Sequence, residues 1–178
     1  MYIMQVKELK VLYSEEAIAE RLRALADQIN KDYEGKDLVV VCVLKGAFMY
    51  FSDLVKLITV SPEVDFVRCA SYGKGTSSTK TISFTKDLEV SIEGKHVLIV
   101  EDIVDTGHTM AFLIKQLEAR GAVSIRLTAI VDKFERREVD VTVDYPGFTL
   151  QKGFIVGYGL DYAEKYRELG AIYEAVVE

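Results

Sequence analysis

The sequence predicts an α/β fold, a mostly parallel twisted sheet with helices on both faces, and three observations predict it. Short β-branched runs alternate with amphipathic stretches of helical period. The strand-like runs are continuously apolar, as strands covered on both faces must be. At 178 residues, with no internal repeat and no interdomain linker, the chain has the size of a single domain around one core.

The elements follow in order. From Ser14 to Asp32, Ala17, Ile18, Leu22, Leu25, Ala26 and Ile29 recur at helical spacing. Ser14 is placed to cap this helix, and Glu15 and Glu16 suit the positive end of its dipole. Leu38 to Leu44 reads as the first core strand, broken by Lys45 and Gly46, and Ala47 to Ile58 as a helix. Val64 to Ser71 is a second strand, running into a Gly-rich polar stretch, Gly73 to Lys80, that cannot pack and suits a mobile lid. Val97 to Val100 is a third strand, followed by a helix from about Thr109 to Arg120 that Gly121 ends. Ile125 to Val131 is a fourth. The tail carries a short strand, Phe154 to Tyr158, and a last apolar strand near Ala171 to Val177. Crossovers in such a sheet are right-handed, and ligands gather at the carboxyl ends of the strands. Attention therefore falls on the residues just after Leu44, Val100 and Val131.

A net charge of −6 argues against a nucleic-acid or anionic-membrane binder working through bulk positive charge, though it leaves small anionic substrates open. Cys42 and Cys69 each sit in an apolar stretch and read as buried core thiols in a reducing compartment. Met1 to Lys10 has no apolar signal region, and no apolar run reaches bilayer length, so a cytoplasmic location is expected.

The densest chemistry lies from Val97 to Thr109. Glu101, Asp102 and Asp105 follow a buried strand, and Thr106-Gly107-His108-Thr109 opens a helix. Burying unpaired carboxylates is costly, so these should meet a cation or hydroxyl donors. The small residues let backbone N–H groups converge at a helix start, a socket for phosphate. Together the two halves suit one ligand, with a terminal phosphate in the socket, ribose hydroxyls at Glu101 and Asp102, and magnesium bridging. Any one of these carboxylates alone would fit an acidic, solvated strand end.

Glu101-Asp102-Ile103-Val104-Asp105-Thr106-Gly107 resembles the signature with which phosphoribosyltransferases hold 5-phosphoribosyl-1-pyrophosphate, and the chain from about Ile18 onward is similar to the bacterial hypoxanthine-guanine branch. The resemblance implies a type I phosphoribosyltransferase fold. Its core would cover about residues 14–150, its hood about 1–13 and 150–178, and its lid about 71–84. It implies purine salvage, giving IMP or GMP and pyrophosphate with Mg2+ as cofactor, in a homodimer or homotetramer. Asp105 would manage the proton at N7 of the purine. Glu101 and Asp102 would hold the ribose hydroxyls and a first magnesium. Thr106, Gly107, His108 and Thr109 would bind the 5-phosphate, His108 through its N–H.

Four further segments match. Leu44-Lys45-Gly46 is similar to the pyrophosphate loop, in which the peptide before the lysine is commonly cis; alone, the pair would pass for a strand end with a solvated lysine. Ser71-Tyr72 looks like the pair that opens the lid. Lys133 matches the lysine that donates to O6, which favours 6-oxopurines because an ammonium cannot accept from the amine of adenine. In the block from Phe154 to Arg167, Phe154 would stack on the base and Ile155 read its edge by backbone. Asp161 would hold a second magnesium and Arg167 meet pyrophosphate. Gln151-Lys152-Gly153 departs from the usual residues before the stacking aromatic, which bears on the choice among purines. Other nucleotide folds fit poorly: Gly73 to Lys80 lacks P-loop spacing, and Gly157-x-Gly159 lacks the third glycine of a dinucleotide fingerprint. A nucleic-acid-binding regulator that has lost catalysis would need a basic face or an added module.

Overall fold

The computed structural model describes residues 6–72 and 81–177. Its centre is a six-stranded sheet made of β2 (Leu38–Val43), β3 (Glu63–Tyr72), β4 (Thr81–Lys86), β5 (His96–Val104), β6 (Ser124–Lys133) and β7 (Tyr145–Leu150), in the order β4-β3-β2-β5-β6-β7. All neighbours run parallel except β3 and β4. A second sheet joins both ends of the described chain: β1 (Val6–Tyr13), β9 (Ile172–Val177) and β8 (Ile155–Val156), all antiparallel.

Helix α1 (Glu15–Asp32) begins as the sequence predicts, with the Ser14 hydroxyl accepting from the Ala17 N–H. It buries Ile18, Leu22, Leu25, Ala26 and Ile29 on one face of the main sheet, beside α2 (Phe48–Val55). Helix α3 (His108–Glu118) covers the opposite face with Met110, Leu113 and Leu117. Every residue of β2 is buried, and its side chains alternate between the two cores: Leu38, Val40 and Cys42 on one side, Val39, Val41 and Val43 on the other. Truncating such a position to alanine costs about 2–5 kcal/mol. Cys42 is buried as expected, whereas Cys69 is only half-buried, because β3 lies one strand from the sheet edge.

Three differences from the sequence reading have physical causes. Helix α2 stops at Val55 because the chain tightens into i→i−3 bonds, Leu57 N–H to Leu54 and Ile58 N–H to Val55. β5 continues to Val104 because it stays paired with β6 as far as Val104 opposite Asp132, so Glu101 and Asp102 are strand residues. β7 lies in a stretch to which the sequence analysis assigns no element; it holds Pro146 and Gly147, and proline is tolerated there because β7 is an edge strand. Arg21 of α1 covers that edge, donating to the carbonyls of Pro146 and Gly147. Residues 73–80 of the expected lid lie outside the described residues. β3 and β4, on either side of them, are held where Asp65 accepts from the N–H groups of Glu89 and Val90 and Arg120 forks onto Asp87. Among the described residues no helix is long and apolar enough to cross a membrane.

Candidate active site

The carboxyl end of β5 and the start of α3 form one cleft of about 120 Å3, lined by Glu101, Ile103, Val104, Asp105, Thr106, Gly107, Thr109 and Met110. A volume well below the roughly 300 Å3 of a pocket that engulfs a whole ligand suits a single group such as a phosphoryl. Helix α3 starts uncapped: Gly107 is the N-cap, without a side chain to bond the first N–H groups. These amides have no partner inside the helix and are left for a ligand. Only glycine serves at that position, because its φ is +89° and a Cβ would press on the Val139 carbonyl. The loop is fixed from behind, where the N–H groups of Glu138 and Val139 both donate to the Thr106 carbonyl.

Adjacent strand residues point to opposite faces, and the two acidic residues of β5 have different neighbours. Glu101 lines the cleft, while the Asp102 carboxylate lies against Gly46, where any Cβ would overlap it. The pair is therefore not two parallel arms into one cleft. Each carboxylate accepts from the next backbone N–H, Glu101 from Asp102 and Asp102 from Ile103. Burial first, then the charge of Asp102, push the Glu101 carboxyl well above the usual range. Burial, and then the same two carboxylates, push the Cys42 thiol up to about 12. A buried Glu101 beside a half-buried Asp102 offers hard oxygen donors that fit a magnesium ion sharing its shell with substrate oxygens. Among the described residues no cluster of three or more metal-ligating side chains forms.

Asp105 lines this cleft. Its Oδ2 is held by Arg136, while Oδ1 is buried without a hydrogen-bond partner. His108 turns away from the cleft and pairs through Nε2 with Glu138 at 2.8 Å, which leaves its backbone N–H as its contribution to the helix start.

Gly46 is the meeting point of three segments. It lies against Asp102 of β5, and its carbonyl blocks any Cβ at Gly159. The peptide between Leu44 and Lys45 is cis, as the resemblance implied. The Lys45 ammonium reaches Glu164 at 2.9 Å. In the loop after β8, Asp161 Oδ1 binds Arg167 at 2.7 Å, and its Oδ2 accepts from the Glu164 N–H. Arg167 also donates to the Gly159 carbonyl.

On the remaining side Lys133 ends β6 and is buried, not solvated, with its ammonium 3.2 Å from Glu135. That contact, followed by the Gly153 N–H, holds the Glu135 carboxyl below its ordinary range. Glu135 thereby ties Lys133 to the segment before Phe154. Phe154 is exposed on one side and meets Tyr162 edge-on at 5.3 Å; Ile155 is buried in β8. Ser71 and Tyr72 close β3, paired with Ile82 and Thr81.

Sequence reasoning missed the arginine pair. Arg136 grips Asp105, and Arg137 donates to the carbonyls of Val104, Asp105, Lys133 and Val141 and to Asp132. One guanidinium thus clamps the ends of β5 and β6, which carry Asp105 and Lys133. The available signal was two adjacent cations a few residues beyond a core strand.

Residues 8–163 match the family model described as the phosphoribosyl transferase domain. The chain is 42% identical over 178 residues to the hypoxanthine phosphoribosyltransferase of Haemophilus influenzae, covering 98% of this chain and 99% of that one. It is 44% identical over 160 residues to the bifunctional protein TilS/HprT of Listeria monocytogenes, covering 90% of this chain and 25% of that protein, so it spans about a quarter of such relatives. Among solved structures, a hypoxanthine phosphoribosyltransferase from Staphylococcus aureus aligns with a TM-score of 0.90 at 43% identity, covering 96% of this chain and 92% of the other.

Proposed function

The chain belongs to the phosphoribosyltransferase family, and on that premise we propose that it transfers the 5-phosphoribosyl group from 5-phosphoribosyl-1-pyrophosphate to N9 of hypoxanthine or guanine. The products are IMP or GMP and pyrophosphate. One observation carries this reading: a buried carboxylate strand end and an uncapped helix start line the same cleft. That pairing suits a ligand with hydroxyls at one end and a phosphate at the other.

In this reading the N–H groups of Thr106, Gly107, His108 and Thr109 hold the 5-phosphate, and Glu101 from the cleft and Asp102 from the Gly46 side hold the ribose hydroxyls. The backbone of Lys45 and Gly46 and the Arg167 guanidinium receive the pyrophosphate. Phe154 stacks on the purine, the backbone of Ile155 reads its edge, and the buried Lys133 donates to O6. N9 attacks C1′, and the C1′–oxygen bond to pyrophosphate breaks, the electron pair leaving with pyrophosphate. The N7 proton passes to Asp105; Oδ1 is the oxygen free to take it, since Arg136 occupies the other. A first magnesium would be held at Glu101 and Asp102 and a second at Asp161, each completed by substrate oxygens, and would supply charge neutralisation for the diphosphate.

The three-stranded sheet from both chain ends serves as a hood over the base, on a core of about residues 14–150, and residues 71–84, with Ser71 and Tyr72, close over the sugar as a lid. The chain works in the cytoplasm, where its two free cysteines stay reduced, and assembles as a dimer or tetramer.

The test is a spectrophotometric assay with hypoxanthine, guanine, xanthine and adenine, each with the activated sugar and magnesium. Turnover of hypoxanthine or guanine is expected, with adenine inert; no turnover of any base would refute the assignment. Lys133→Ala should narrow the preference for 6-oxopurines over adenine by about ten-fold or more. An unchanged preference removes Lys133 from the base site.

A further inference from the structure

Among the described residues, Glu164 is the one anion that touches both Lys45 and Arg167, the cations beside the proposed pyrophosphate loop. A single oxygen, Oε2, lies 2.9 Å from the Lys45 ammonium and 3.4 Å from the Arg167 guanidinium. The loop is built to aim it there. Ala163, Glu164 and Tyr166 all have left-handed φ, at 51°, 64° and 75°, a conformation that non-glycine residues hold only when their surroundings impose it. Asp161 supplies part of that constraint by accepting from the Glu164 N–H. The carboxylate is largely exposed, with 64% of its side chain accessible, whereas Arg167 is only 19% accessible. The cation is thus fixed and the anion replaceable.

We propose that Glu164 is the resting anion of the pyrophosphate subsite: it holds Lys45 and Arg167 in place until a diphosphate displaces it, and so sets the affinity of that subsite. This inference rests on the reading above that Arg167 meets pyrophosphate. Exposed ion pairs are weak, so displacement is easy and the return of Glu164 favours product release. The consequence runs opposite to that of an ordinary stabilising contact, since removing the carboxylate strengthens ligand binding.

The experiment is isothermal titration of the full chain with inorganic pyrophosphate in magnesium chloride. Glu164→Gln should bind about two- to five-fold more tightly than the natural sequence. Glu164→Asn, a residue at ease with left-handed backbone, should do the same and guards against a folding defect in the first variant. Glu168→Gln, which removes a neighbouring exposed carboxylate, should bind as the unaltered chain does, separating the contact from net charge. Arg167→Gln should weaken binding by about ten-fold or more. If Arg167→Gln leaves affinity unchanged, the pyrophosphate reading falls and this inference with it. If Arg167→Gln weakens binding while both Glu164 variants bind no more tightly than the unaltered chain, the inference alone is overturned; so it is if Glu168→Gln tightens binding equally.

Discussion

The β5–α3 junction and the loop from Gly157 to Arg167 serve neighbouring parts of the proposed substrate, yet they are built in opposite ways. At the junction, buried strand pairing runs as far as Val104, and the groups proposed to bind ligand are backbone amides with no alternative partner inside the helix. In the loop the polar groups are side chains already bonded to one another, Asp161 to Arg167 and Glu164 to Lys45 and Arg167. The first region is complete before a ligand arrives; the second must exchange partners. A phosphate that stays on the product suits the rigid socket, and a leaving group suits the exchangeable one.

The comparison breaks most sharply at Asp105. Asp105→Asn should keep the fold and the amides proposed to bind the sugar but remove the proposed acceptor for the N7 proton, so kcat should fall about 10²–10⁴-fold with sugar affinity nearly unchanged. Near-normal turnover would remove Asp105 from the chemistry. Next in size is Gly107→Ala. Its φ of +89° and the nearby Val139 carbonyl predict a loss of about 1–3 kcal/mol in stability and a rise of about ten-fold or more in KM for the activated sugar, with pyrophosphate binding largely spared. Equal damage to both affinities would mean that the two regions are not independent.

The smallest effect is a gain. The folded-state pKa of Glu101 is raised, chiefly by burial and then by Asp102. Its favourable contribution is therefore present below the ordinary carboxylate range and is lost as pH rises through the raised value. Glu101→Gln should make the ligand-free chain more stable near pH 8, by about 1–2 kcal/mol or a few degrees in Tm, with the advantage fading toward about pH 4. Magnesium with the activated sugar should stabilise the natural chain more than this variant. Thermal unfolding across that pH range checks both statements.

Sequence and structure agree where one physical cause dominates. Continuous Val, Ile and Leu announced β2 and the buried half of β5, and the Ser14 cap with its period announced α1. β7 was illegible because Pro146 and Gly147 signal a turn unless the strand is known to be an edge. Glu101 and Asp102 were legible as a pair, but their separate neighbours depend on β5 remaining paired beyond Val100. Arg137 was out of reach because its importance lies in five acceptors drawn from two strand ends and a loop, which only the fold brings together. Glu164 was hidden likewise, since its partner Lys45 lies far away in the chain.

The account depends most on the amides at the start of α3, and a crystal structure of the chain soaked with GMP tests them directly. The phosphate oxygens should lie within about 2.7–3.2 Å of N–H groups from Thr106 to Thr109, with the ribose toward Glu101. A phosphate bound elsewhere, with those amides facing only water or protein, would contradict it.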